Sequence, residues 1–232
     1  MIKKSSVIIS LFILLTYTAK GQSKFVPEWN IGAGFGPTFS SVSFDPAVET
    51  KNLSQFHGGI AARYITEKNL GIIAELNYSQ QGWEGKFKDN PEFQHSHTLT
   101  YIELPVLTHI YFGRKVRFFI NLGPKLQFLI NDKEKMNDAL ADYLANQEGI
   151  VSTNNSTLRT GQYNKNAKYK LDYGLMGGLG LELRTKIGYF TAEGRYYAGF
   201  GDLFNNHTDL NNFNRSANRV ISAKITYYVK IF

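Results

Sequence analysis

The chain has no cysteine, only six prolines, and no apolar run long enough to cross a bilayer as a helix. The missing cysteine excludes a disulfide scaffold, thiol catalysis and a lipoprotein anchored through an N-terminal cysteine. Its longest apolar stretch, Val7–Leu15, is already interrupted by Ser10, whereas a spanning helix needs about 20 residues. A helical membrane protein is therefore excluded. A strong excess of one charge is missing too: the formal charge is +7, and setting aside Lys3, Lys4 and Lys20 of the first 21 residues leaves +4, too mild to indicate nucleic acid. No nucleophile elbow, phosphate-binding loop or zinc-helix motif occurs, and the GxG pairs lie within strand-like segments. Neither a catalytic site nor a cofactor is expected.

What is present points to export and β structure. Lys3 and Lys4, the apolar core, and small residues at Ala19 and Gly21 have the order of a signal peptide over 1–21, cleaved before Gln22. Residues 22–232 then form one domain, with an aromatic content of 14% and 21 glycines over the whole chain. Eight segments read as strands by period-two alternation or composition: Trp29–Ser43, Gly58–Thr66, Leu70–Gln81, Thr98–Phe112, Val116–Ile130, Leu171–Leu183, Gly188–Phe200 and Val220–Phe232. In the fifth, Val116, Phe118, Ile120, Leu122, Leu126, Phe128 and Ile130 share one parity, while Arg117, Asn121, Lys125 and Gln127 share the other.

The gaps between these segments alternate in length. Tight turns are expected at Glu67–Asn69, Gly113–Lys115 and Arg184–Ile187, and long polar loops at 44–57, 82–97, 131–170 and 201–219. An outer-membrane barrel has this asymmetry, with turns facing the periplasm and loops facing outside. The predicted fold is all-β: an eight-stranded antiparallel up-and-down transmembrane β-barrel with long extracellular loops. One loop is expected to hold a short helix over Lys133–Gln147, with Asn131 and Glu134 as a capping box. Its apolar face of Met136, Leu140, Tyr143 and Leu144 would cover its own loop or the barrel rim, or else offer a docking surface.

Alternation alone does not say which side is apolar, and a soluble exported lipocalin-like barrel would be apolar within. Three features favour the membrane. The polar parity carries many glycines, including Gly32, Gly34, Gly36, Gly174, Gly178 and Gly180, which suit a narrow lumen. It also carries charges of both signs: Arg63, Glu75, Glu103, Arg117, Lys125, Glu182, Glu193, Arg195 and Lys224 are assigned inward as a structural polar cluster. Finally, Tyr78, Phe112, Tyr173, Phe190, Phe200 and Tyr227 near strand ends could supply interfacial girdles. Eight strands leave a lumen that side chains fill, so these charges should pair with one another.

The stretch Tyr101-Ile102-Glu103-Leu104-Pro105 resembles the hallmark of the PorT-like outer-membrane β-barrel family. Asn121-Leu122-Gly123-Pro124 and Gly178-Leu179-Gly180-Leu181-Glu182 are similar to later strands of that family. The resemblance implies an eight-stranded barrel of the porin-family type whose name-giving member is associated with secretion across the outer membrane. In physical terms, Pro105 removes a ladder donor and is expected to mark a bulge or bend. Phe232 would be part of an assembly signal, although Lys230 stands where an apolar residue is usual.

His57, His95, His97 and His207 fall in or beside the expected loops, and loop histidines are ordinarily solvated. His95 and His97 would share a face if that stretch were extended, and a third ligand would be needed for a metal site, so no metal is assigned. Rim acid/base chemistry with Asp202 or Asp209 is the weakest alternative. The expected function is a non-enzymatic outer-membrane protein whose partners are outer-membrane lipid, the barrel-assembly machinery and an envelope or secretion protein met through the loops, with no nucleic acid. A small outer-membrane enzyme acting at the rim is the other class.

Overall fold

Tight turns fix one end of the sheet. The computed structural model describes residues 25–147, 163–204 and 213–231, so the expected signal peptide, His207, Asp209 and Phe232 lie outside the described residues. Strand β2 (Thr50–Glu67) reaches β3 (Leu70–Gly85) through Lys68 and Asn69, and Asn69 takes the left-handed conformation at φ 72°. Strands β4 (His95–Gly113) and β5 (Val116–Met136) meet over Arg114 and Lys115, with Gly113 at φ 112°. The third turn, 185–188, joins β6 (Leu171–Arg184) to β7 (Tyr189–Gly199). Strand β1 (Glu28–Asp45) pairs antiparallel with β8 (Arg215–Lys230), from Asn30 opposite Lys230 to Asp45 opposite Arg215, which closes the sheet into the expected eight-stranded barrel.

The shortest strand, β7, has 11 residues and the longest, β5, has 21, whereas crossing a bilayer takes about 9 to 11. The excess is on the loop side and corrects the predicted boundaries. Strand β2 begins at Thr50 because 50–57 pairs with β1 and β3, so the first connection shrinks to Pro46–Glu49 and the long-short alternation fails there. Strands β3, β4 and β5 likewise continue into segments read as loop. The helix α1 spans Asp138–Gln147, not Lys133–Gln147. Asn131 is strand; the capping residue is Asn137, whose side-chain oxygen accepts the Leu140 N–H and whose carbonyl accepts the Ala141 N–H.

The bulge also differs from expectation. Across Pro105 the register of β4 with β5 continues, from Leu104 opposite Leu126 to Thr108 opposite Leu122. The shift falls between Thr100, opposite Asn131, and Tyr101, opposite Leu129, leaving Ile130 as the extra residue. Below it the odd residues of β5 point inward; above it Asp132 and Glu134 do.

The barrel wall is apolar outward. Ile31, Phe35, Ile60, Leu76, Leu122, Leu179 and Ile225 are exposed, while the alternate parity is buried and largely polar. A soluble barrel with an apolar interior is thereby excluded. Aromatic pairs stand on the outer face at both ends: Phe190 with Tyr227 at 4.9 Å near the turns, and Tyr173 with Phe200 at 6.5 Å near the loops.

Because the chain has no native cysteine, single substitutions report sidedness directly. Glu92→Cys and Lys165→Cys, on the loop side, should react with a membrane-impermeant maleimide on intact cells, and Lys68→Cys should react only after lysis. Outside labelling at Lys68→Cys would reverse the orientation.

Candidate functional site

Strand alternation delivers every charge assigned inward to one enclosed interior, where they form linked clusters. Near mid-barrel, Arg195 donates to both oxygens of Glu75 at 2.8 Å each and to Glu193 at 2.7 Å. Lys224 donates to Glu75 at 2.8 Å and to Asn77 at 3.0 Å, and the Asn121 amide donates to Glu193 at 2.8 Å. Toward the turns, Arg63 and Arg117 converge on Glu182. Their guanidinium groups lie over the rings of Tyr228 and Tyr111, at 4.2 and 4.1 Å. Toward the loops, Lys125 donates to Glu103 at 2.7 Å and stands 3.6 Å from the Tyr197 ring centroid.

Asp172 completes this upper cluster and was not picked out by the sequence reading. It is buried and accepts from Gln127 at 2.7 Å and from Asn218 at 2.8 Å. Its parity on β6, shared with Gly174 through Glu182, was the signal that could have found it. With Asp172 included, five carboxylates (Glu75, Glu103, Asp172, Glu182, Glu193) face five cations (Arg63, Arg117, Lys125, Arg195, Lys224). Such a balanced set is tolerable in a confined interior, whereas a lone buried charge costs several kcal/mol. The β6 glycines make room for it: a Cβ on Gly178 would collide with the Glu193 carboxylate, and one on Gly180 with the Phe119 ring. Between Thr38, His57, Asn77, Glu103, Lys125 and Arg195 remains a cavity of about 10 Å³, space for about one water molecule.

Above these clusters the mouth is closed by apolar side chains. Phe44, Trp83, Leu99, Tyr101, Leu203, Phe204 and Phe213 form a buried group, with Phe44 4.5 Å from Phe213 and 5.4 Å from Trp83 between ring centroids. Beside it, Leu140 of α1 is buried with Phe93 and Tyr163, against Met136, Tyr143 and Leu144. The apolar face of the helix therefore packs on its own loop, as one of the two expected placements had it.

The described histidines are not solvated, which corrects the sequence reading. His57 is in β2 and faces the lumen; His95 and His97 are in the extension of β4 and fully buried at the mouth. His97 stacks on Trp83 at 4.4 Å, its Nε2 bonds Asp132, and the His95 Nε2 lies 2.8 Å from Glu134. Sequence parity could not pair these residues, because only the bulge at Ile130 turns Asp132 and Glu134 inward. Asp202, the acid considered for rim catalysis, accepts the Ser216 backbone N–H at 2.7 Å.

A barrel of this build, apolar outside and charged within, is matched over residues 20–205 by the family described as outer membrane protein beta-barrel domain. The chain belongs to that family. Its place is accordingly the outer membrane. Among solved structures, OprG from Pseudomonas aeruginosa is 12% identical, with a TM-score of 0.49 over 88% of this chain and 96% of that one. Ail, the attachment invasion locus protein of Yersinia pestis, is 12% identical, with a TM-score of 0.42 over 87% and 99%. Neisserial surface protein A is 11% identical, with a TM-score of 0.41 over 88% and 99%. No curated protein matches the chain.

Replacing Arg195 with Ala leaves Glu193 in the interior without a cation and Glu75 with Lys224 alone, and should destabilise the barrel by about 3–5 kcal/mol in a urea titration in detergent or lipid. Lys88→Ala, which breaks an exposed pair with Glu49, should leave the midpoint unchanged. Equal midpoints for the two variants would mean that water reaches the lumen charges.

Proposed function

We propose that the protein is a sealed, non-enzymatic barrel of the PorT-like kind that acts from its loop side, in partner binding, secretion or envelope integrity, and does not conduct solutes. The observation that carries this reading is the filled interior: the cavity beside Glu103, Lys125 and Arg195 has room for about one water, and the aromatic group of Phe44, Trp83 and Phe213 stands across the mouth above it. Solutes have no route past such a filling unless buried ion pairs break, at a cost of several kcal/mol for each charge left alone.

Two features support the PorT-like assignment beyond the match of residue types. Pro105, from the most specific stretch, stands opposite Lys125 of the neighbouring strand, the residue that follows Pro124, and Gly123 lies against Val106 and Leu107. Glu103 then takes Lys125 as its ion partner at 2.7 Å. The two stretches are thus one structural unit. On the outside, lipid is the partner of the apolar wall. The barrel-assembly machinery is the partner during insertion. A protein of the envelope or of a secretion system would meet the exposed loops.

Purified protein reconstituted into planar bilayers should give no stable, porin-sized conductance steps. Deleting the gene should alter secretion or detergent resistance while leaving small-solute uptake unchanged. Reproducible large openings, or a defect confined to solute uptake, would replace this reading with that of an uptake channel.

A further inference from the structure

The mouth of the barrel holds a charge arrangement unlike that of the lumen. Asp132 and Glu134 are largely buried there, with side-chain exposures of 12% and 14%. Among the described residues, their only basic neighbours within ion-pair distance are His97 and His95, whereas Lys133 and Lys135 of the same strand are exposed on the opposite parity. Every carboxylate named in the lumen clusters except Asp172 has an arginine or lysine directly on it; this pair faces imidazoles.

The imidazoles carry the second sign of a ligand. Both rings are buried, and Nδ1 of His95 and of His97 finds no hydrogen-bond partner among the described residues. A buried ring nitrogen without a partner forfeits its hydration with nothing in return, and two such atoms lie two residues apart in the chain. One donor atom from each of His95, His97 and Glu134 lies within 4.8 Å of the other two. Tetrahedral coordination at the usual metal–ligand lengths needs donors roughly 3.3 Å apart, so side-chain movements of about an ångström bring them together.

We propose that His95, His97 and Glu134 bind one divalent first-row transition-metal ion of the zinc class at the extracellular mouth of the barrel, with Asp132 orienting His97. Neutral imidazole with carboxylate is a donor set for zinc and its neighbours and not for calcium or magnesium, which prefer all-oxygen ligation. Asp132 on Nε2 of His97 fixes that ring with its proton toward the carboxylate and its lone pair on Nδ1, the arrangement in which histidine ligands are commonly held. The outer oxygens are held as well: Asp132 accepts the Ala167 N–H at 2.6 Å, and Glu134 accepts the Asn164 N–H at 2.9 Å. The bound dication would neutralise the two carboxylates and tie β4 and β5 to the segment carrying Asn164 and Ala167. This site is independent of the sealed-barrel function, and its presence revises the sequence reading, which assigned no metal.

The experiment uses untagged full-length protein refolded in detergent, with heat-modifiable gel migration confirming the barrel in every sample. A Trp29→Phe background leaves Trp83, stacked on His97, as the sole tryptophan reporter. Titration with Zn²⁺ should show saturable uptake of one equivalent and a shift in Trp83 emission, and Co²⁺ should give the visible absorption bands of a tetrahedral complex. In folded His97→Gln or Glu134→Gln protein both signals should be lost, and Asp132→Asn should weaken binding about 10- to 100-fold while keeping the stoichiometry. Absence of saturable uptake by the folded protein, or uptake that persists unchanged in His97→Gln, would overturn the proposal.

Discussion

Closing eight strands into a ring is the constraint on which the rest of the molecule depends. The ring removes both sheet edges, which lipid would not tolerate, and it sets a diameter that side chains must fill. One face of each strand must then be apolar for lipid and the other must pack against seven neighbours in a space with almost no water. Charged side chains meet that demand where acids and bases are paired so that their charges cancel. Arg195 between Glu75 and Glu193, and Glu182 between Arg63 and Arg117, are that solution, and the missing Cβ atoms of Gly178 and Gly180 are its steric condition.

Where the ring rises above the lipid the constraint relaxes, and the chemistry changes. Strands β4 and β5 run on together to His95 and Met136, and the interior fills with Phe44, Trp83, Phe204 and Phe213 in place of ion pairs. Water is available on this side to drive apolar burial, as it is not within lipid. A plug of aromatic rings is therefore stable at the mouth, and polar groups remaining there, His95, His97, Asp132 and Glu134, are held among apolar walls instead of within a network.

This change marks how far the sequence could be read. Within the membrane, period-two alternation stays in phase, and the nine lumen charges from Arg63 to Lys224 could be placed inward by parity alone, as could Asp172, which was passed over on the same parity. At the mouth the phase breaks. One extra residue at Ile130 exchanges Asn131 and Lys133 for Asp132 and Glu134 on the inner face, and nothing in the local sequence announces it. Pro105 looked like the place for an irregularity, yet there the register runs on. Residues 50–57, too polar to read as strand, pair because β1 and β3 flank them on both sides. The helix start moved for a related reason: pairing with β4 keeps Asn131 to Met136 extended, and Asn137 is the first residue free to cap.

The bulge links these observations. A strand that kept its phase through Ile130 would turn Lys133 and Lys135 toward Trp83 and Leu99, placing two cations in an apolar mouth with no acid on that face. Shifting by one residue sends both lysines to solvent and brings two carboxylates opposite two histidines. The shift thus exchanges like charges without partners for groups able to share protons or hold a cation, and it does so without altering a single pairing in the membrane-spanning part below. The mouth can accordingly vary in chemistry while the barrel beneath it, whose charges already cancel, stays fixed.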